Sequence, residues 1–155
     1  MKSEEKQIRI LLADDHNVMR RGLRFLLETQ PQFSVVGEAS DGSQAVEQAE
    51  AVHPDVVVLD IAMPNLSGIE AAQRIVSLLP NTSVVILSMH SDEGYVLRAL
   101  KAGAKGYLLK DSIENDLIQA IKTVAQGKAF FSPEISRMLA EEYVREIKSR
   151  EFEAR

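Results

Sequence analysis

Five short apolar runs, each of strand length and each followed by a segment of helical period, constrain this chain more than any other feature. They are Ile8-Arg9-Ile10-Leu11-Leu12-Ala13, Phe33-Ser34-Val35-Val36-Gly37, Val56-Val57-Val58-Leu59, Val84-Val85-Ile86-Leu87 and Gly106-Tyr107-Leu108-Leu109. The third and fourth are β-branched and apolar on both faces, as central strands of a parallel sheet must be when helices cover each side. Between the runs, Met19, Leu23, Leu26 and Leu27 share one helical face, as do Ile113, Leu117, Ile121 and Val124. Asp41-x-x-Gln44 and Ser67-x-x-Glu70 read as capping boxes at helix starts, and Pro31 and Pro80 close the preceding helices. Right-handed crossovers turn five strand–helix repeats into a doubly wound α/β fold, a five-stranded parallel sheet with helices on both faces.

After Gly127 the pattern changes. Ser132-Pro133-Glu134 predicts an N-cap with proline at the first helical position, and Ile135, Leu139, Tyr143 and Ile147 recur every four residues. That stripe is too narrow and too short for a coiled coil, so residues 129–155 are expected to form a linker helix appended to a domain over 1–128. A chain of 155 residues has room for that one core plus an appendage.

In an open α/β sheet, ligands bind beyond the carboxyl ends of the strands, where strand order reverses. Asp14 and Asp15 follow the first run, Asp60 ends the third, Ser88 follows the fourth and Lys110 the fifth. Taken singly, each has an ordinary explanation. Asp14-Asp15 before a helix reads as a cap and a dipole partner, Asp60 as a turn residue, Ser88 as a cap and Lys110 as a solvated lysine. Together they put acid, acid, hydroxyl and ammonium at four strand ends on one edge.

If the strand order is 2-1-3-4-5, the first and third strands are neighbours and three carboxylates share one crevice. Their repulsion calls for cations: Lys110 supplies one charge, and Mg²⁺, which prefers oxygen ligands, supplies the rest. Asp60 then becomes a nucleophile able to take up a phosphoryl group. His16, His53 and His90 have no partner at metal-ligand spacing and read as loop or helix-surface residues.

Charge and composition narrow the partners. The formal charge of −5, from 18 basic and 23 acidic residues, disfavours direct binding of nucleic acid by this chain. No apolar run approaches the roughly 18–20 residues of a membrane span, and there is no cysteine for a disulfide. A cytoplasmic protein with no membrane attachment is the expectation.

The segments Ala13-Asp14-Asp15-His16, Leu59-Asp60-Ile61-Ala62-Met63-Pro64-x-x-x-Gly68, Leu87-Ser88 and Gly103-Ala104-Lys105-Gly106-Tyr107-Leu108-Leu109-Lys110 together resemble the response-regulator receiver family over roughly the first 128 residues. Asp-Asp-His, Ser88-Met89-His90 and Tyr107-Leu108-Leu109-Lys110-Asp111 are most similar to the NarL/FixJ subfamily, whose members usually carry a LuxR-type helix-turn-helix.

The resemblance implies the flavodoxin-like order 2-1-3-4-5. It makes Asp60 the acceptor of a phosphoryl group from a sensor histidine kinase, in a switch rather than a turnover enzyme. It implies Mg²⁺ ligated by Asp15, Asp60 and the backbone carbonyl of Ala62, with Asp14 acting through water. Ser88 and Lys110 would hold phosphoryl oxygens, and Tyr107 would be the aromatic of the conformational switch, against the plainer reading of a half-buried strand tyrosine.

Homodimerisation on phosphorylation is the further expectation. Many receivers have proline after the lysine, where this chain has Asp111. With no helix-turn-helix before Arg155, DNA binding is expected only through a domain absent from this chain, and a stand-alone receiver working by protein contact is the alternative. A haloacid-dehalogenase-like phosphatase would want a second aspartate at position 62, where alanine stands. An FMN site would want a hydroxyl- and glycine-rich loop in place of Asp14-Asp15-His16.

Overall fold

The computed structural model describes residues 6–89 and 93–153. Strand β1 (Ile8–Ala13) leads to helix α1 (Asn17–Glu28), then β2 (Phe33–Ala39), α2 (Gly42–Val52), β3 (Val56–Asp60), α3 (Gly68–Leu78), β4 (Ser83–Ser88), α4 (Glu93–Lys101) and β5 (Gly106–Leu109). A single 3-10 turn over Lys110–Ser112 opens into α5 (Ile113–Ala125), followed by β6 (Phe130–Phe131) and α6 (Pro133–Glu153).

All strand pairs are parallel, in the order β2-β1-β3-β4-β5-β6. The five-stranded expectation is therefore corrected to six strands. Gly127 adopts a positive φ of 83° after α5, and the chain then pairs Phe130 with Gly106 and Phe131 with Tyr107. Two residues are too few to show a period-2 pattern, so the short strand was hidden in what read as the start of a linker.

Alternation along the strands sorts the core into two layers. Leu11, Val57, Leu59, Val84, Ile86 and Tyr107 face α2, α3 and α4, where small Ala45, Ala49, Ala71, Ala72 and Ala99 let those helices approach the sheet closely. Ile10, Leu12, Val58, Val85 and Leu108 face Leu23 and Leu27 of α1 and Leu117, Ile121 and Val124 of α5. Tyr107 is fully buried, not half-buried.

The caps follow the expected residues. Asp41 accepts a hydrogen bond from Gln44 N at 2.8 Å and Ser67 accepts from Glu70 N at 3.2 Å. The reciprocal arm of the first box reaches Ser40, whose N donates to Gln44 Oε1 at 3.0 Å, rather than Asp41. Ser132 stands just before α6, but its hydroxyl faces back to the sheet and accepts from Leu109 N at 3.4 Å.

Helix α6 is anchored in the core at its start, and beyond it is held to α4 by the Arg145–Glu93 ion pair. Ile135 is fully buried and Met138 and Leu139 pack on the same layer, whereas Tyr143 and Ile147 of the same stripe are exposed. Ile135→Ala should therefore cost about 2–5 kcal/mol, the usual range for a fully buried isoleucine. Ile147→Ala should change stability by no more than about 0.5 kcal/mol. Denaturant unfolding of the two variants checks this, and equal losses would mean that the whole helix belongs to the core.

Candidate functional site

Parallel strands put their carboxyl ends on one edge, and the register there brings the side chains together. Asp60 pairs with Leu87 and Ser88 with Leu109, so Asp60, Ser88 and Lys110 stand on adjoining strand tips, with Asp14 and Asp15 just past β1 on the other side of β3. Asp14, Asp60 and Ser88 are buried, and the side chains of Asp15 and Lys110 are partly exposed. Asp14, Asp15, Asp60, Ser88 and Lys110 lie on this edge, whereas Tyr107 lies within β5, paired with Ile86 and buried in the core.

Lys110 Nζ lies 3.2 Å from Asp60 Oδ2 and 3.9 Å from Asp14 Oδ2. Asp60 Oδ1 accepts from Ala62 N at 3.2 Å, which fixes the turn after β3 against the carboxylate. Among the described residues, the buried oxygens Asp14 Oδ2, Asp15 Oδ1 and Asp60 Oδ2 meet no donor in hydrogen-bonding geometry.

Burial is the largest influence on Asp60 and pushes its pKa up. Lys110 pulls the other way, Asp14 adds to the upward push, and the net shift is upward. Three carboxylates facing one ammonium leave two negative charges, which one divalent ion balances. Hard, closely grouped oxygen donors suit Mg²⁺, so the residues fit the ion the sequence implied. Oxygens of Asp14, Asp15 and Asp60, together with a nitrogen of His16, all lie within 4.8 Å of one another.

Two residues here escaped sequence reasoning. His16 sits in the loop as expected, and its side chain is 67% exposed, but its Nδ1 lies 3.0 Å from Asp15 Oδ1 and 3.3 Å from Asp14 Oδ1. The sequence carries no sign of this, because neighbours in a chain such as Asp14, Asp15 and His16 form no metal-ligand spacing. His53 does lie at an exposed helix end, as the C-cap of α2, and His90 falls outside the described residues.

Arg20 was missed because nothing marks it in a helix already rich in arginine. It donates from Nη1 to the Asp14 carbonyl at 2.6 Å, from Nε to Glu38 Oε1 at 2.9 Å and from Nη2 to Asn17 Oδ1 at 2.8 Å. Burial opposes the charge on Glu38, but hydrogen bonds from Arg24 and Arg20 outweigh it and hold its pKa below the usual range. The guanidinium thus clamps the main chain between the two acids. Arg20→Ala is expected to weaken Mg²⁺ binding by about tenfold or more, the scale of losing an outer partner of a metal ligand. Arg20→Lys should recover little, since one ammonium nitrogen cannot reach the three acceptors that the guanidinium meets from three separate nitrogens. Calorimetric Mg²⁺ titration measures both, and unchanged affinity in the alanine variant would refute the clamp.

Residues 10–122 match the family described as response regulator receiver domain. The chain belongs to this family. Among curated relatives, this receiver is 42% identical over 150 residues to the transcriptional regulatory protein DegU of Brevibacillus brevis, covering 97% of this chain and 64% of that one. It is 38% identical to the oxygen regulatory protein NreC of Staphylococcus carnosus, covering 88% and 64% of the two chains. This receiver therefore spans less than two thirds of the length of those relatives.

Among solved structures, a LuxR-family two-component response regulator from Aurantimonas sp. superposes with a TM-score of 0.85 at 38% identity, covering 90% of this chain and 99% of that one. The receiver domain of NarL from Mycobacterium tuberculosis gives 0.77 at 36% identity, covering 80% and 100%. As a receiver, the chain is a two-component signalling switch of the NarL, DegU and LuxR-type group. No described helix is long and apolar enough to cross a membrane.

Proposed function

We propose that this receiver takes a phosphoryl group from a sensor histidine kinase in the cytoplasm onto Asp60 and passes the event on as a conformational change. The observation that carries this reading is the buried Asp60 carboxylate, whose Oδ2 lies 3.2 Å from the Lys110 ammonium, which also meets Asp14 Oδ2 at 3.9 Å, at the strand tips. Asp15, Asp60 and the backbone carbonyl of Ala62 would hold Mg²⁺ directly, with Asp14 holding it through water. Bound there, the ion supplies positive charge to the phosphoryl oxygens and relieves the repulsion among the acids.

The chain's own residues do the rest. A carboxylate oxygen of Asp60 attacks phosphorus, an aspartyl phosphate bond forms, and the bond to the donor breaks with its electron pair leaving on the donor. Lys110, already 3.2 Å from Asp60, pairs with one oxygen of the incoming group. Ser88, at the end of β4, donates its hydroxyl to another. The added charge of roughly −1.5 to −2 draws Ser88 inward and changes the packing around Tyr107. The populations of the surface built by α4, β5 and α5 then shift, with homodimerisation as one outcome. The relatives' names support transcription as the output, through a DNA-binding part outside this chain; action by protein contact alone is the second reading.

The test is incubation with Mg²⁺ and a small acyl phosphate, followed by intact mass and peptide mapping. One phosphoryl increment located on Asp60 and lost with chelator is expected. A Mg²⁺-dependent increment elsewhere would remove the assignment.

A further inference from the structure

We propose that His16 makes the acidic pocket a site for imidazole-preferring divalent transition ions, such as Ni²⁺ and Zn²⁺, in addition to Mg²⁺. This rests on the metal-binding part of the reading above and concerns which ions the pocket accepts.

The argument is one of spacing and donor type. Donors about 2.1 Å from an octahedral ion stand about 3.0 Å apart when adjacent and about 4.2 Å apart when opposed, and around a tetrahedral ion they stand about 3.4 Å apart. His16 Nδ1 stands 3.0 Å from Asp15 Oδ1, the separation of adjacent ligands. The whole set with Asp14 and Asp60 lies within 4.8 Å, somewhat wider than opposed ligands need. The excess is small, and the largely exposed imidazole has room to adjust without disturbing the core. Asp14 Oδ2 and Asp60 Oδ2 are buried and make no hydrogen bond, facing only the Lys110 ammonium at 3.9 and 3.2 Å. A metal ion would satisfy both.

Mg²⁺ takes oxygen donors and keeps its waters, so it has no use for the imidazole. Ni²⁺ and Zn²⁺ favour imidazole nitrogen and bind mixed nitrogen and carboxylate sets more tightly. His16 is therefore a selector: idle when Mg²⁺ is bound, a ligand when a transition ion is. Because both classes use Asp15 and Asp60, they exclude each other, and a bound transition ion competes with the phosphorylation-competent state.

The experiment uses the full chain with His53 and His90 replaced by glutamine, so that His16 is the remaining histidine. Ni²⁺ and Mg²⁺ are titrated calorimetrically into that protein and its His16→Gln derivative, and the visible absorption of bound Ni²⁺ is recorded. His16→Gln should weaken Ni²⁺ by about tenfold or more, move its absorption to that of an all-oxygen site, and leave Mg²⁺ affinity within about twofold. Equal Ni²⁺ affinity in both proteins would overturn the proposal. Parallel losses for Ni²⁺ and Mg²⁺ would overturn it too, since His16 would then only order the loop. Failure of the underlying reading looks different: Asp60→Asn and Asp15→Asn would leave Mg²⁺ binding intact, whatever His16 does to Ni²⁺.

Discussion

With asparagine at position 60, the protein is expected to take up no phosphoryl group and, in metal-free buffer near neutral pH, to unfold at a higher temperature than the parent. The first effect follows from chemistry, because a neutral amide oxygen in place of the carboxylate is too weak a nucleophile to displace the donor. The second follows from electrostatics. Burial and the neighbouring Asp14 together outweigh Lys110 and raise the pKa of Asp60 in the folded chain. Well below the ordinary carboxylate pKa of about 3.9, Asp60 is protonated in both folded and unfolded states and carries no penalty. As the pH rises through that value, the unfolded chain ionises first and folding loses ground. Above the raised folded pKa the penalty is fully present.

Asparagine cannot ionise, so its advantage exists at neutral pH and fades as the pH falls toward 3.9. A gain of about 1 kcal/mol would move Tm by roughly 2–4 °C in a chain of this size. Mg²⁺ should reverse the order. An ion that binds the parent but not the variant adds about 2.7 kcal/mol at a hundred times its Kd. Thermal melts at neutral and acidic pH, with and without Mg²⁺, test all four corners. A metal-free variant that melts below the parent at neutral pH would show that the Lys110–Asp60 pair outweighs burial.

The strands, helices and site edge were legible in the sequence because each rests on a local signal. Val56-Val57-Val58-Leu59 could hardly be other than a strand covered on both faces, and all five of its residues through Asp60 are buried. The position of Asp60 at that strand's carboxyl end then followed from the crossover rule. Contacts without a period or spacing of their own were not legible. Phe130 and Phe131 become a strand only because the open edge of β5 lies beside them. The Asp14 carbonyl finds Arg20 through the turn of the loop, and Glu38 of β2 joins them from a neighbouring strand. The stripe of α6 had the right period throughout, yet only its first turns add apolar side chains to the core; farther on, Arg145 meets the domain through an ion pair with Glu93 of α4 at 3.3 Å. Periodicity says which face is apolar, not where its partner ends.

The same substitution at two glycines should give opposite results, and the difference comes from the site. Gly22 lies exposed within α1, and a Cβ there would meet nothing within 4 Å. Gly22→Ala should stabilise the protein by about 0.5–1 kcal/mol, the helix-propensity difference. Gly68 begins α3, where propensity would again favour alanine. Its Cβ, however, would stand 2.3 Å from the carbonyl oxygen of Asp60 and 2.7 Å from Ile61 Cα. Those are backbone atoms, and Gly68 N also donates to the Ile61 carbonyl at 3.0 Å, so neither side can yield cheaply. Gly68→Ala should therefore destabilise by about 1–3 kcal/mol, as overpacking does. The relief available is a shift of the β3–α3 turn, which carries Asp60 with it. A displacement near 1 Å can lower a rate by about a hundredfold, so Mg²⁺-dependent labelling should slow far more than the lost stability explains. Unfolding curves and acyl-phosphate labelling rates of the two variants decide the matter. A Gly68→Ala protein that labels at the parental rate would mean that the turn behind Asp60 is not what holds its carboxylate in place.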